Sequence, residues 1–76
     1  TFINLGEIEE YFDYLLESGV ITTENDYYVI NLDAVGIEKL LGNGDINKKV
    51  KIYVRKASSK AIEKIKAKGG EVILIE

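Results

Sequence analysis

KKVKIYVRKASSKAIEKIKAKGGEVILI, residues 48–75, is the stretch on which the fold turns. Residues Lys48 to Arg55 alternate as a strand does. Val50, Ile52 and Val54 share one side of an extended chain, and Lys51, Tyr53 and Arg55 share the other. The period then changes to that of a helix. Ala61, Ile62 and Ile65 line one face, and Ser58 or Ser59 stands where an N-cap belongs. Lys60, Lys64 and Lys68 recur at i, i+4 and i+8 on another side of this helix, which runs to about Lys68. Gly69-Gly70 stops it, and Glu71 to Ile75 is a second apolar strand. A strand, a helix and a strand on such short links form a parallel crossover, right-handed by the general rule.

Upstream, Gly42-Asn43-Gly44-Asp45 reads as a tight turn in which glycine supplies positive φ. Tyr27 to Leu32 is rich in β-formers and reads as a strand. Asp33 follows at an N-cap position, ahead of Val35, Ile37, Leu40 and Leu41; Gly36 interrupts this run, so a short or broken helix is expected. Thr22 to Asp26 reads as a polar turn after a short edge strand at Val20-Ile21. A longer helix starts at Gly6. Ile8, Tyr11, Phe12, Leu15 and Leu16 form its apolar face, Glu9, Glu10, Asp13 and Glu17 its wet one, and Gly19 ends it. Thr1 to Leu5 is a short first strand.

The chain also echoes itself. FINLGEIEEYF at 2–12 and VINLDAVGIEKL at 29–40 share a strand ending Ile-Asn-Leu, followed by an acid and a helical run. The expectation is a single small α/β domain of three strand-helix units over residues 1–76, closed by the parallel crossover at the C-terminus. At 76 residues there is room for one core only, with a stability of about 5 kcal/mol. The chain opens Thr1-Phe2 rather than with Met, so it is expected to be part of a longer polypeptide.

Composition narrows the chemistry. There is no Cys and no His, which removes disulfides, thiolate metal sites, the commonest metal ligand and the commonest general base. No apolar run approaches the roughly 20 residues that span a bilayer. The glycine turn at 42–45 lacks the spacing of a phosphate-binding loop and leads into a strand, and its Asp and Asn do not match a calcium loop. Carboxylate pairs such as Glu9 with Asp13 lie on the expected wet face of a helix, which suits solvated charge better than acid–base chemistry. Ser58 and Ser59 have no His to activate them. The tyrosines Tyr11, Tyr14, Tyr27 and Tyr28 suit packing better than base stacking. The expectation is a protein that is no enzyme and uses neither cofactor nor metal.

Charge is unevenly divided. Residues 1–46 hold one base against ten acids, a net −9; residues 47–76 hold nine bases against three acids, a net +6. A basic half points to an anionic partner. Lys48, Lys49, Lys51, Arg55 and Lys56 precede the serine cap, and Lys60 and Lys64 follow it. Ser58, Ser59 and the free amides of the helix start are suited to phosphate oxygens, and Tyr53 to a base or ribose. These ten residues are the candidate RNA contacts. Glu9, Glu10, Asp13 and Glu17 are the candidate surface for a basic protein partner.

Residues 29–76 resemble the C-terminal domain of the L-fifteen (uL-fifteen) family of large-subunit ribosomal proteins, in its archaeal and eukaryotic form. The resemblance rests on Lys39-Leu40-Leu41-Gly42-x-Gly44, on Ala57-Ser58-Ser59-Lys60-Ala61-x-Glu63-Lys64-Ile65, and on Gly69-Gly70-Glu71-Val72. The sister L-eighteen-e family shares the Glu-Lys-Ile and Gly-Gly ending. The resemblance implies an irregular superhelix of three strand-strand-helix turns and a structural, non-catalytic place in the cytoplasmic ribosome. It implies contacts to ribosomal RNA and neighbouring ribosomal proteins, no membrane, and a monomer when the domain is isolated. It also implies a basic N-terminal arm, which this stretch does not contain. The contacts it carries over are Lys49, Lys51, Arg55, Lys56, Ser58, Ser59 and Lys60.

Overall fold

The computed structural model describes all of residues 1–76. The α/β class and the C-terminal crossover stand. β5 (Val50–Val54) pairs in parallel with β7 (Glu71–Leu74), and α3 (Ser59–Ala67) connects them. The strands form two sheets. One has four strands in the order β2-β3-β5-β7, with β2 (Ile21–Glu24) antiparallel to β3 (Tyr27–Asn31) and the other pairs parallel. The other has three parallel strands in the order β1-β4-β6: Phe2–Asn4, Lys39–Leu41 and Lys56–Ala57.

The three-stranded sheet corrects the expected second helix. Helical structure after β3 ends within one 3-10 turn, Asp33–Val35. Asn31, not Asp33, supplies the side-chain acceptor, its Oδ1 taking the Ala34 N–H at 3.1 Å. Gly36 then turns left-handed at φ +80°, and Lys39–Leu41 runs out as β4. Leu40 is fully buried between β1 and β6. A three-residue strand is too short to show its period of two, and its hydrogen-bond partners are distant in sequence.

Two further differences are local. The expected polar turn at 22–26 is mostly strand: Thr22, Thr23 and Glu24 pair with Val29, Tyr28 and Tyr27. β-branched threonines fit a pleated edge. The turn itself is only Asn25-Asp26, with Asn25 at φ 55°, as tight hairpins require. The first helix is interrupted at Tyr11, dividing it into α1 (Leu5–Glu10) and α2 (Phe12–Glu17). The hydrogen-bond ladder still crosses the break, from Tyr11 N–H to Glu7 and from Leu15 N–H to Tyr11. Ile8 and Phe12 are buried, whereas Tyr11, expected on the apolar face, is 55% exposed.

Both sheets and all three helices share one core, in which Leu5, Ile8, Ile30, Leu40, Ile52 and Ile65 are each 0% exposed. Burial of such a side chain contributes about 1.5–3 kcal/mol. The glycine turn locks the two ends of this core together. Gly44 has φ +79°, and a Cβ there would lie 2.6 Å from the Gly6 Cα. Gly6 N–H donates to the Asn43 carbonyl at 2.9 Å, and Asn43 N–H donates to Asn4 Oδ1 at 3.1 Å. On its other side, a Cβ on Gly42 would sit 2.8 Å from the Ala61 amide nitrogen. The loop therefore fits between the starts of α1 and α3.

Candidate nucleic-acid interface

Ser58 is the N-cap of α3, with Oγ accepting the Ala61 N–H at 3.2 Å. Ser59 is the first helical residue and is exposed. Lys56 lies on β6, just ahead of this cap, and Lys60 lies in the first turn after it. Both are exposed, and neither has an acidic partner. Sequence order alone would group the remaining basic residues with them, but their contacts differ.

Four of the ten candidate residues are bound to acids of the same chain. Lys48 pairs with Glu9 and also lies 4.5 Å over the Phe12 ring. Lys49 is 3.3 Å from Asp26, and Arg55 Nε is 2.7 Å from Asp33. Lys64 donates to the Gly42 and Gly44 carbonyls at 2.9 and 2.6 Å and lies 3.5 Å from Asp45. It thereby holds the glycine turn closed. The hydrogen bond that Arg55 donates to Asp33, and then the charge of Asp33, hold the Arg55 guanidinium above its usual pKa. The hydrogen bond from Lys48 holds Glu9 below the usual carboxylate range, helped by the Asn47 N–H at 2.8 Å.

Lys51 and Tyr53 lie on the outer face of the four-stranded sheet, because Val50, Ile52 and Val54 occupy the core side. Lys51 Nζ is 5.7 Å from the centre of the Tyr53 ring and 6.0 Å from that of Tyr27. The neighbouring Tyr53 first, and then Tyr27, raise the pKa of Lys51. The ten residues therefore occupy three places: the outer face of the large sheet, the β6–α3 junction, and the internal tethers.

The acidic face is also smaller than expected. Glu9 is engaged internally, leaving Glu10, Asp13 and Glu17 exposed and without cation partners. Tyr11 and Tyr14, expected to pack, stand between these acids at 55% and 68% exposure, while Tyr28 does pack, edge-on to Phe12 at 4.9 Å. Lys39 and Phe2 were not among the candidates. β4 brings Lys39 into register with Lys56, and β1 brings Phe2 beside Lys39. No group of His, Cys, Asp or Glu side chains converges as a metal site would require.

The family of ribosomal proteins that takes in the 50S proteins L15 and L18e, together with their 60S counterpart, matches residues 2–73. The chain belongs to this family. Its similar proteins include the large ribosomal subunit protein uL15 of Hyperthermus butylicus, 42% identical over 74 residues, and that of Archaeoglobus fulgidus, 41% identical over 71 residues. A third, the uL15 of Thermoplasma volcanium, is 43% identical over 70 residues. These alignments cover 97%, 93% and 92% of this chain but only 49%, 40% and 48% of the three relatives. The chain thus spans less than half the length of each. The family is one of ribosomal proteins, not of enzymes, in agreement with a chain that lacks His and Cys.

Proposed function

We propose that this domain is a structural part of the large ribosomal subunit in the cytoplasm, held on ribosomal RNA by cations its own fold leaves unpaired. The observation that carries the reading is the β6–α3 junction. Lys56 and Lys60 flank the start of α3 with no internal acid partner, beside the exposed hydroxyl of Ser59. Two ammonium groups and a hydroxyl, all exposed, lie there within residues 56–60, which suits phosphate oxygens. Lys51, with Tyr53 and Tyr27, adds a second basic point on the large sheet. Lys49 and Arg55 are exposed enough to exchange Asp26 and Asp33 for phosphate, and exposed pairs of this kind contribute only about 0–1 kcal/mol. Lys48 and Lys64 serve the fold first.

The test is a titration of the domain with large-subunit RNA at several salt concentrations. Three lysines on phosphates give a log–log slope of roughly −2 to −3. Lys51→Glu, Lys56→Glu and Lys60→Glu together abolish binding. Binding that ignores both salt and the triple reversal overturns the reading.

A second reading applies to the opposite charge. Glu10, Asp13 and Glu17, with Tyr11 and Tyr14 exposed among them, suit a basic segment of a neighbouring ribosomal protein. Reversal of these three acids to lysine then removes that partner and leaves the RNA titration unchanged.

A further inference from the structure

We propose that the outer face of the three-stranded sheet holds a single unpaired nucleotide of the RNA, with its base against Phe2 and its phosphates on Lys39 and Lys56. The inference rests on the RNA-binding reading and adds to it a site and a preferred form of RNA.

Parallel pairing sets Phe2 beside Lys39 and Lys39 beside Lys56, one residue on each strand in a single row. Neighbouring strands lie about 4.8 Å apart, so the row spans about 10 Å from β1 to β6. The next row is Ile3, Leu40 and Ala57; Leu40 is fully buried and the other two pack partly against the core. Successive side chains in a strand point to opposite faces, so the first row points outward. Phe2 is 62% exposed. Lys39 and Lys56 are exposed and unpaired. Together with Thr1, Glu38 and Arg55 these three line an open depression of about 240 Å³. Glu38 is its one acid and lies 3.5 Å from the Thr1 amino group; Arg55 is already held by Asp33, which leaves Lys39 and Lys56 as the free cations.

An aromatic ring at one end of a row that continues with two free ammonium groups on an open sheet is chemistry suited to RNA. The ring can stack only on a base whose face is available, which a regular duplex does not offer. The lysines, both on the same side of the ring, then meet the phosphates that lead away from that base along the row. An acidic peptide would use the lysines but gain little from the ring. Charge complementarity and the stacking surface together therefore favour an unpaired nucleotide.

The experiment compares the domain's affinity for a hairpin RNA with an unpaired loop and for a fully paired duplex of the same length. The unmodified chain prefers the hairpin. Phe2→Leu keeps an apolar strand residue but removes the aromatic face, and lowers hairpin affinity by about five- to 150-fold, the range for losing one stacked base. Its duplex affinity and salt slope stay unchanged. Lys39→Gln instead reduces the salt slope on the hairpin by about 0.7. A 2-aminopurine placed in the loop is quenched by the unmodified chain and not by Phe2→Leu. If the chain binds both RNAs with a normal salt slope but Phe2→Leu changes neither affinity nor quenching, this inference fails and the RNA-binding reading stands. If the unmodified chain binds neither RNA, both fail. A Phe2-dependent preference for a poly-glutamate peptide over the hairpin overturns the inference in favour of a protein partner.

Discussion

Arg55 and Lys56 are adjacent in the chain and both basic, yet they belong to different regions and do different work. Arg55 follows β5 of the four-stranded sheet and is held 2.7 Å from Asp33; Lys49, before the same strand, is held 3.3 Å from Asp26. The cations at the ends of the large sheet are tethers. Lys56 lies in the three-stranded sheet beside Lys39, and both lack an acidic partner. A net charge of +6 for residues 47–76 therefore overstates what an external anion meets. What matters is which cations the fold has already neutralised, and the two sheets differ in that.

The two sheets should nevertheless stand or fall together, because they share one core. Leu40→Ala in β4 removes a side chain that is 0% exposed, at a cost of about 2–5 kcal/mol. With total stability near 5 kcal/mol, this leaves much of the chain unfolded. Urea unfolding followed by circular dichroism checks it. One transition that moves as a whole supports a shared core, whereas a retained four-stranded sheet would show two independent units.

Next in size is the loop between α1 and α3. Gly44→Ala meets both a positive φ of 79° and a Cβ 2.6 Å from the Gly6 Cα. Gly36→Ala meets a φ of 80° with nothing within 4 Å. The second isolates the backbone strain, about 1–2 kcal/mol. The first adds a backbone clash and costs more, about 2–4 kcal/mol. Equal midpoints for the two variants would mean that the loop relaxes away from α1 and is no lock.

Smaller again is the contrast among cations. Lys56→Gln lowers the RNA salt slope by about 0.7–0.9 and leaves the urea midpoint unchanged. Lys49→Gln moves the slope less, because Asp26 already competes for that charge, and it shifts the midpoint slightly. Equal slopes would erase the distinction between tethered and free cations.

The large sheet was the more legible one, its edge strand β2 excepted. Val50, Ile52 and Val54 alternate with Lys51, Tyr53 and Arg55 over a full strand, and the Ser58 cap and Gly69-Gly70 bracket α3, so both periods have room to show. Of the small sheet only β1 was legible, as the strand expected at Thr1 to Leu5. β4 and β6 have three and two residues, and all three strands pair only with strands remote in sequence. Ile37, Leu40 and Leu41 fit helical spacing equally well, and Gly36 in its left-handed conformation settles the matter. Lys39 and Phe2 could not be recognised as neighbours of Lys56 before β4 was known. The tethers were invisible for the same reason: Glu9–Lys48 and Asp33–Arg55 span 39 and 22 residues.

The smallest effect probes one tether directly. Glu9 binds Lys48 and the Asn47 N–H, which hold its carboxyl below the usual 4.5. A carboxylate whose pKa is depressed by folding stabilises the folded state while it is ionised. Its contribution is complete above the unfolded pKa and is lost as pH falls through the lower folded value. Glu9→Gln therefore costs stability at pH 7, by up to about 1 kcal/mol for a pair that is only partly buried. The gap between the unmodified chain and Glu9→Gln should narrow as pH drops below about 4.5 and close once Glu9 is protonated in the folded state as well. Urea midpoints at pH 7, 4 and 3 measure it. The same substitution leaves RNA affinity untouched if Lys48 belongs to the fold. A rise in RNA affinity would show that Glu9 had been withholding a cation from the interface, and would move Lys48 from the tethered group to the free one.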